Sequence, residues 1–325
     1  METGDIVHLF IMPCRTGERS RQHLVNLPER RCIAYSEKMT MTAEERAPAA
    51  GFDLKLGPLH YRFIPGDDWG GEQVRALAGH LAGALPPTAP DRIVQIARTE
   101  PAPGESAWQR HDSPLGSIAY HTGSPAAAWT ATASPELPAF RYQLPWALLI
   151  ADCVRRSGAV VHAGFAARNG RGLLFLAPPG GGKSTTLASV PPGWAVLSDD
   201  AALVWPEHGV WQASPLPSWT TMTAAAVPES GQRFDPGRQC AISGLLVLAK
   251  EPAVSIDPLT PLEAAPHLYR ALNEYPATVL TELPLQEHFF RTACAMARAL
   301  PCWRLGLPRG ADCWPRLDAL IGARP

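Results

Sequence analysis

Apolar and polar residues recur at two different periods along this chain. Phe52-Asp-Leu-Lys-Leu56 alternates strictly, Leu59–Ile64 alternates again, and Gly57-Pro58 between them has turn chemistry, so two successive strands are expected. Val74, Leu77, Ala78, Leu81 and Leu85 recur at helical spacing and stop at Pro86-Pro87, which predicts a helix over Val74–Leu85. Arg92–Ala97 reads as a further strand, and Pro101–Ser106 as a Pro/Gly/Ser-rich loop. Pro145–Arg156 is a short amphipathic helix whose first residue, proline, loses nothing by lacking an N–H. Apolar strands and loops then alternate: Ala159–Ala166, Leu173–Leu176, Ala195–Ser198, Ala202–Trp205, Val210–Ala213 and Leu245–Leu248. A helix-rich tail is expected from Pro261 to Leu320.

This pattern divides the chain into a weakly structured extension (1–50), a small, mostly β accessory part (51–142) and a main domain (143–325). Within the extension only Val7–Met12 reads as a strand, and Met39 or Met41 are alternative starts. Composition narrows the class. With 46% hydrophobic and 18% charged residues, the chain is expected to be an ordinary soluble protein with a sizeable core. A net charge of −1 gives no basic field for nucleic acid. Seven scattered cysteines without a C-x-x-C pair argue against a disulfide framework or a zinc cluster, so a reducing cytoplasm is expected. No apolar run approaches the roughly 18–20 residues of a membrane span, and no signal-peptide order opens the chain.

The chemistry begins at Gly172-Leu-Leu-Phe-Leu-Ala-Pro-Pro-Gly-Gly-Gly-Lys-Ser-Thr-Thr-Leu187, which reads as strand, glycine-rich loop and helix start. The phosphate-binding consensus G-x-x-x-x-G-K-[ST] is met at Gly182, Lys183 and Ser184, while Ala177 stands at its first glycine. Such a loop turns backbone N–H groups towards phosphates, and the following helix start adds partial positive charge. Gly180, Gly181 and Gly182 supply the backbone freedom, and Thr185 completes the loop's cofactor-binding set. Lys183 is expected on the β and γ phosphates of ATP, and the Ser184 hydroxyl on Mg²⁺.

A second signal is Trp194-Ala-Val-Leu-Ser-Asp-Asp200, an apolar strand ending in two carboxylates. Asp199 lies 16 residues beyond Lys183, enough for about two helical turns, the Pro191-Pro192-Gly193 turn and one strand. The acidic strand is therefore the next element after the loop's helix. One carboxylate can sit on the metal while the other takes a proton from an attacking hydroxyl. A third signal is His162, read as lying on the strand that runs into the Arg168-Asn169-Gly170 hairpin and hence in the sheet beside the loop. A histidine on an apolar strand is also an ordinary core residue, and geometry alone leaves both readings open.

In this order the three motifs resemble the HPr kinase/phosphorylase catalytic domain. The chain resembles more closely the HPr-kinase-like proteins of peptide-modification cassettes, of the SynChlorMet cassette protein ScmC and lasso-peptide kinase type. The likeness covers Pro145–Leu216, and more weakly Ile242–Leu248, Leu262-Glu-Ala-Ala and Leu300-Pro-Cys-Trp-Arg-Leu305. It implies an α/β, HPr-kinase/PEP-carboxykinase-like P-loop domain, with a mostly β N-terminal domain and a helix-rich tail. It also implies a serine kinase: Asp199 as base, Asp200 and Ser184 on the metal, Lys183 as phosphate clamp and His162 in the active site. The acceptor would be a hydroxyl of a peptide or small molecule. A nucleotide-binding regulatory partner and a small-metabolite kinase remain the alternatives. Related HPr kinases are hexamers, which makes a homo-oligomer an expectation, although no assembly surface is legible.

The downstream HPr-kinase signature is absent and Ala213-Ser-Pro-Leu-Pro-Ser-Trp219 stands in its place, so HPr itself is not the expected substrate. The glutamate of that signature has no match, and Glu207 reads as a surface residue. Pro215–Trp219 reads as a rigid turn or as a lining of the acceptor pocket. Arg233 and Arg238 read as phosphate contacts or as solvated side chains.

Overall fold

The protein was analysed as a computed structural model, which describes residues 51–80, 89–97, 108–113, 116–121, 124–130, 146–216, 235, 237–274 and 283–322. These residues belong to one compact unit. The predicted Val7–Met12 strand, the Pro101–Ser106 loop, Trp219 and Arg233 lie outside them.

The expected strand pair forms as β1 (Phe52–Leu56) and β2 (Leu59–Pro65), antiparallel, with Leu56 opposite Leu59. Next comes α1 (Asp68–His80), which begins earlier than the apolar spacing indicated. Its start is set by a polar cap: the Asp67 carboxylate accepts from the Gly70 N–H at 2.7 Å. Strands β3 (Arg92–Ala97), β4 (Trp108–Ser113), β5 (Gly116–His121) and β6 (Ala126–Thr130) complete a sheet ordered β1-β2-β3-β6-β5-β4 among the described residues.

Helix α2 (Trp146–Arg155) leads into the second sheet. Its Leu148, Leu149, Ile150 and Cys153 are all buried, in a core shared by residues of both sheets. An apolar helix enclosed in this way is held by burial more than by propensity. Then follow β7 (Ala159–His162), β8 (Gly164–Arg168), β9 (Arg171–Leu176), the short α3 (Lys183–Ala188), β10 (Ala195–Ser198), β11 (Ala201–Glu207) and β12 (Val210–Pro215). The long β13 (Cys240–Lys250) pairs in parallel with β9 and with β15 (Cys302–Leu307), while β14 (Ser255–Leu259) pairs antiparallel with β15. Leu245–Leu248 is buried throughout, as a central parallel strand covered on both faces requires. The tail holds α4 (Pro261–Asn273), α5 (Leu283–Ala299) and α6 (Trp314–Gly322). It also holds β15, a strand that the helix-rich reading of this segment did not mark.

The main correction concerns Ala159–Ala166, expected as one strand. It is two: β7 pairs with β11, and β8 with β9 and β10, in the order β10-β8-β9-β13-β12-β11-β7. On a flat sheet five strand spacings, about 24 Å, would separate β8 from β7. Ala163 alone joins them, and one residue spans at most about 7 Å. The sheet therefore curls until its two ends meet at Ala163, whose N–H donates to Asp200 O at 3.0 Å. His162 is thus not on the strand entering the Arg168-Asn169-Gly170 turn. It stands at the end of β7, on the far side of this seam.

Candidate active site

Two chain crossings meet at the seam. One is β7–Ala163–β8, and the other is β10–Asp199–Asp200–β11. Strand pairing sets Ala201 opposite His162, so Asp199 and Asp200 arrive beside the histidine. The buried Ser198 hydroxyl accepts from the N–H groups of Asp200 (3.4 Å) and Ala201 (3.2 Å), which fixes the tight turn carrying both carboxylates.

The glycine-rich loop leaves the carboxyl end of β9, a parallel strand, which is where ligands bind in open α/β sheets. Gly180 (φ 73°) and Gly182 (φ 103°) take left-handed conformations, and a Cβ on either would meet nothing within 4 Å. Both therefore face open space, as a cradle for an anion must. Gly181 differs: a Cβ there would lie 2.6 Å from Ala177 Cβ. The departure at Ala177 is thus accommodated by a glycine that cannot itself be replaced. Ser184 and Thr185 are exposed at the start of α3.

Lys183 turns inward. It is buried, and its Nζ donates to Ala177 O and to His162 Nε2, each at 2.7 Å. An ammonium carries three donors, so one N–H remains beyond these two. Burial holds Lys183 below its usual pKa, opposed by the charges of Glu274, Asp200 and Asp199. His162 is also held below its ordinary range, first by burial and then by the Lys183 charge, against Asp200 and Asp199. A neutral imidazole suits these contacts: Nε2 can accept from Lys183, and Nδ1, 3.2 Å from Asp200 Oδ1, can carry the proton towards that carboxylate. The carboxylate fixes the tautomer, and the tautomer presents a lone pair to the lysine.

The structure thus gathers Lys183, His162, Asp199 and Asp200 from three separate segments. It also adds a residue that no motif pointed to. Glu274, at the C-terminal end of α4, places Oε2 3.2 Å from His162 Nε2. Burial raises its pKa, the Lys183 charge lowers it and Asp200 raises it. A carboxylate at a helix C-terminus opposes the helix dipole. That misfit is the one sign of Glu274 readable in the sequence, because α4 is otherwise well marked by Thr260 and Glu263, which form a capping box, and by Pro261 in its first turn. Glu207 and Arg238 are exposed.

Among the described residues no group of three His, Cys, Asp or Glu side chains forms a protein-only metal site. Mg²⁺ bound with a nucleotide needs no such cage, since one or two carboxylates or hydroxyls, phosphate oxygens and waters suffice. No described helix is long and apolar enough to cross a membrane.

Residues 143–321, more than half of the 325, match the family model described as SynChlorMet cassette protein ScmC. Among solved structures, the Hpr(Ser) kinase/phosphatase from Coxiella burnetii is similar at 12% identity, covering 50% of this chain and 88% of that one with a TM-score of 0.27. At that score the likeness bears on neither mechanism nor substrate. No curated protein matches the chain.

Proposed function

The chain belongs to the ScmC family, and from that membership we propose that it transfers the γ-phosphoryl group of ATP to a Ser/Thr-type hydroxyl on a ribosomally made peptide or its precursor. In this reading residues 143–325 are an HPr-kinase/PEP-carboxykinase-like P-loop domain acting in the cytoplasm, and residues 51–142 are an accessory part.

The observation that carries the reading is the convergence on Lys183. A buried ammonium, at the head of an open glycine cradle, is held by a neutral histidine that a carboxylate orients. Gly180, Gly182 and Thr185 cradle the phosphates with backbone N–H groups, Gly181 holds the loop's shape by donating its N–H to Pro178 O at 2.9 Å, and the remaining N–H of Lys183 reaches the transferred end. Ser184 and Asp200 are the residues to hold Mg²⁺, which supplies charge neutralisation to the phosphoryl oxygens. Asp199, one residue along from Asp200, takes the proton of the acceptor hydroxyl as the new P–O bond forms and the bond from the γ phosphorus to the bridging oxygen breaks, releasing ADP. His162 fixes where the Lys183 charge lies and itself stays uncharged.

Labelled ATP and Mg²⁺, incubated with the protein and the small peptides encoded beside its gene, test the reading. Label should appear on a peptide hydroxyl, as phosphoserine or phosphothreonine by mass spectrometry. ATP bound with no transfer to any peptide or free hydroxy amino acid would instead favour a regulatory nucleotide-binding partner.

A further inference from the structure

A cavity of about 460 Å³ lies away from the glycine loop, between the first sheet and the C-terminal end of α2. Its floor is the start of β2 and β3 and the residue before β6, through Leu59, Arg92 and Pro125, and it is closed by Asp152 and Arg155 of α2 and by Arg156 just beyond. Three guanidiniums therefore face two carboxylates, those of Asp91 and Asp152.

The pairing leaves one positive charge over. Asp152 is buried and accepts from Tyr61 Oη at 3.1 Å, from Arg92 Nε and Nη2 at 2.9–3.2 Å, and from Arg155 as well. Arg92 spends its other donors on the carbonyls of His121 (2.9 Å) and Ser124 (2.8 Å). Arg156 pairs with Asp91, which also accepts from the His60 N–H at 2.8 Å. Arg155 thus shares a carboxylate already neutralised by Arg92, and its side chain is 47% exposed. Burial and then the neighbouring Arg92 charge depress its basicity, so the two guanidiniums crowd each other. The helix dipole accounts for an arginine in the last turn of α2, but not for Arg155 sharing its acid with Arg92 of β3.

We propose that this cavity docks an acidic side chain of the peptide acceptor. A single excess charge matches one carboxylate rather than a phosphate dianion. The volume far exceeds a free ion and leaves room for the peptide that carries the acid. The place is suitable too: Arg156 precedes His162 by six residues, a reach of at most about 20 Å, which a short extended peptide spans. Only the identity of this peptide as the phosphorylated substrate rests on the function proposed above.

The test is fluorescence anisotropy of a labelled Glu-containing peptide without hydroxyl residues, and of its Gln counterpart, with no nucleotide present. The wild-type chain should bind the Glu peptide about tenfold more tightly, the worth of a charge-assisted hydrogen bond. Arg155→Gln should abolish that preference and Arg155→Lys should restore part of it. Asp152 keeps Arg92 and Tyr61 in both variants, and thermal melts check the fold. If Arg155→Gln unfolds, Arg156→Gln serves in its place. Equal binding of the two peptides, a preference that survives Arg155→Gln, or saturation by inorganic phosphate without any Glu preference would overturn the proposal. The transfer assay above is unaffected by these outcomes, and a chain that transfers no phosphate still gives a readable binding result.

Discussion

Glu274 holds its carboxylate 3.2 Å from the same imidazole nitrogen that Lys183 engages. Its charge also acts on Lys183, so a phosphate entering the glycine cradle meets a like charge beside the lysine. Removing that charge should tighten nucleotide binding. Glu274→Gln is expected to lower the ATP dissociation constant by roughly tenfold, since a like charge a few Å away in a half-buried site costs on the order of 1–2 kcal/mol. A calorimetric titration reads this directly, and weaker binding would mean that Glu274 holds the cradle in shape. Lys183, Asp199 and Asp200 could be brought together from the sequence because each sits in a short motif whose spacing reflects local geometry, whereas spacing left His162 open and only the family resemblance pointed to it. Glu274 was not legible, because it comes from a helix about 90 residues beyond the loop and meets the site only through tertiary packing. A second residue-scale consequence lies on the β1–β2 hairpin. Burial raises the pKa of Asp53, but hydrogen bonds and charge from Arg62 and His60 outweigh it and leave the pKa below 3.8. A depressed carboxylate stabilises the fold above its unfolded pKa and loses that contribution as pH falls through its folded value. Asp53→Asn should therefore cost melting temperature at neutral pH, and the difference from wild type should shrink as the buffer is taken below 3.8. A gap constant with pH would contradict this.

At the scale of elements, the site depends on how α3 and the curled sheet are held. Trp314, on α6, is 1% exposed and packs against Trp194 (centroids 4.9 Å) and Phe175 (5.8 Å). Its Nε1–H donates to Ser189 Oγ, just beyond α3, at 3.2 Å. The C-terminal helix thus anchors the end of the glycine-loop helix directly, within one buried cluster that also holds Leu187 and Leu317. Trp314→Ala should destabilise by about 3–5 kcal/mol in chemical denaturation, the usual cost of emptying a large aromatic site. A change under 1 kcal/mol would show that α6 is not part of the cooperative core. Most strands could be read from the sequence, including β1, β3, β9 and β10. The break between β7 and β8 could not. Ala159–Ala166 is almost wholly buried, so no polar alternation marks where one strand ends and the next begins. The curl of the sheet decides it. Similarly, β15 follows a helix that stops at Ala299, before Leu300-Pro301, and takes its identity from parallel pairing with β13.

On the scale of the whole molecule, α2 connects the two regions of interest. It is buried in the core common to both sheets, its last turn closes the arginine cavity, and the chain leaves it through Gly158 directly into β7 and His162. The Gly158 N–H donates to Cys153 O at 2.8 Å, which makes that exit short and fixed. The arginine cavity and His162, which contacts Lys183 of the glycine loop, thus stand at the two ends of one short helix-to-strand connection. The central claim is narrower than this arrangement: Asp199 takes the acceptor's proton while Lys183 and the glycine loop hold the nucleotide. It is tested most directly by measuring ATP affinity and phosphoryl transfer together on the Asp199→Asn chain, with Lys183→Ala as reference. The account predicts that Asp199→Asn still binds ATP but loses transfer by about a hundredfold or more, whereas Lys183→Ala no longer binds ATP. Transfer at the wild-type rate in Asp199→Asn would contradict it.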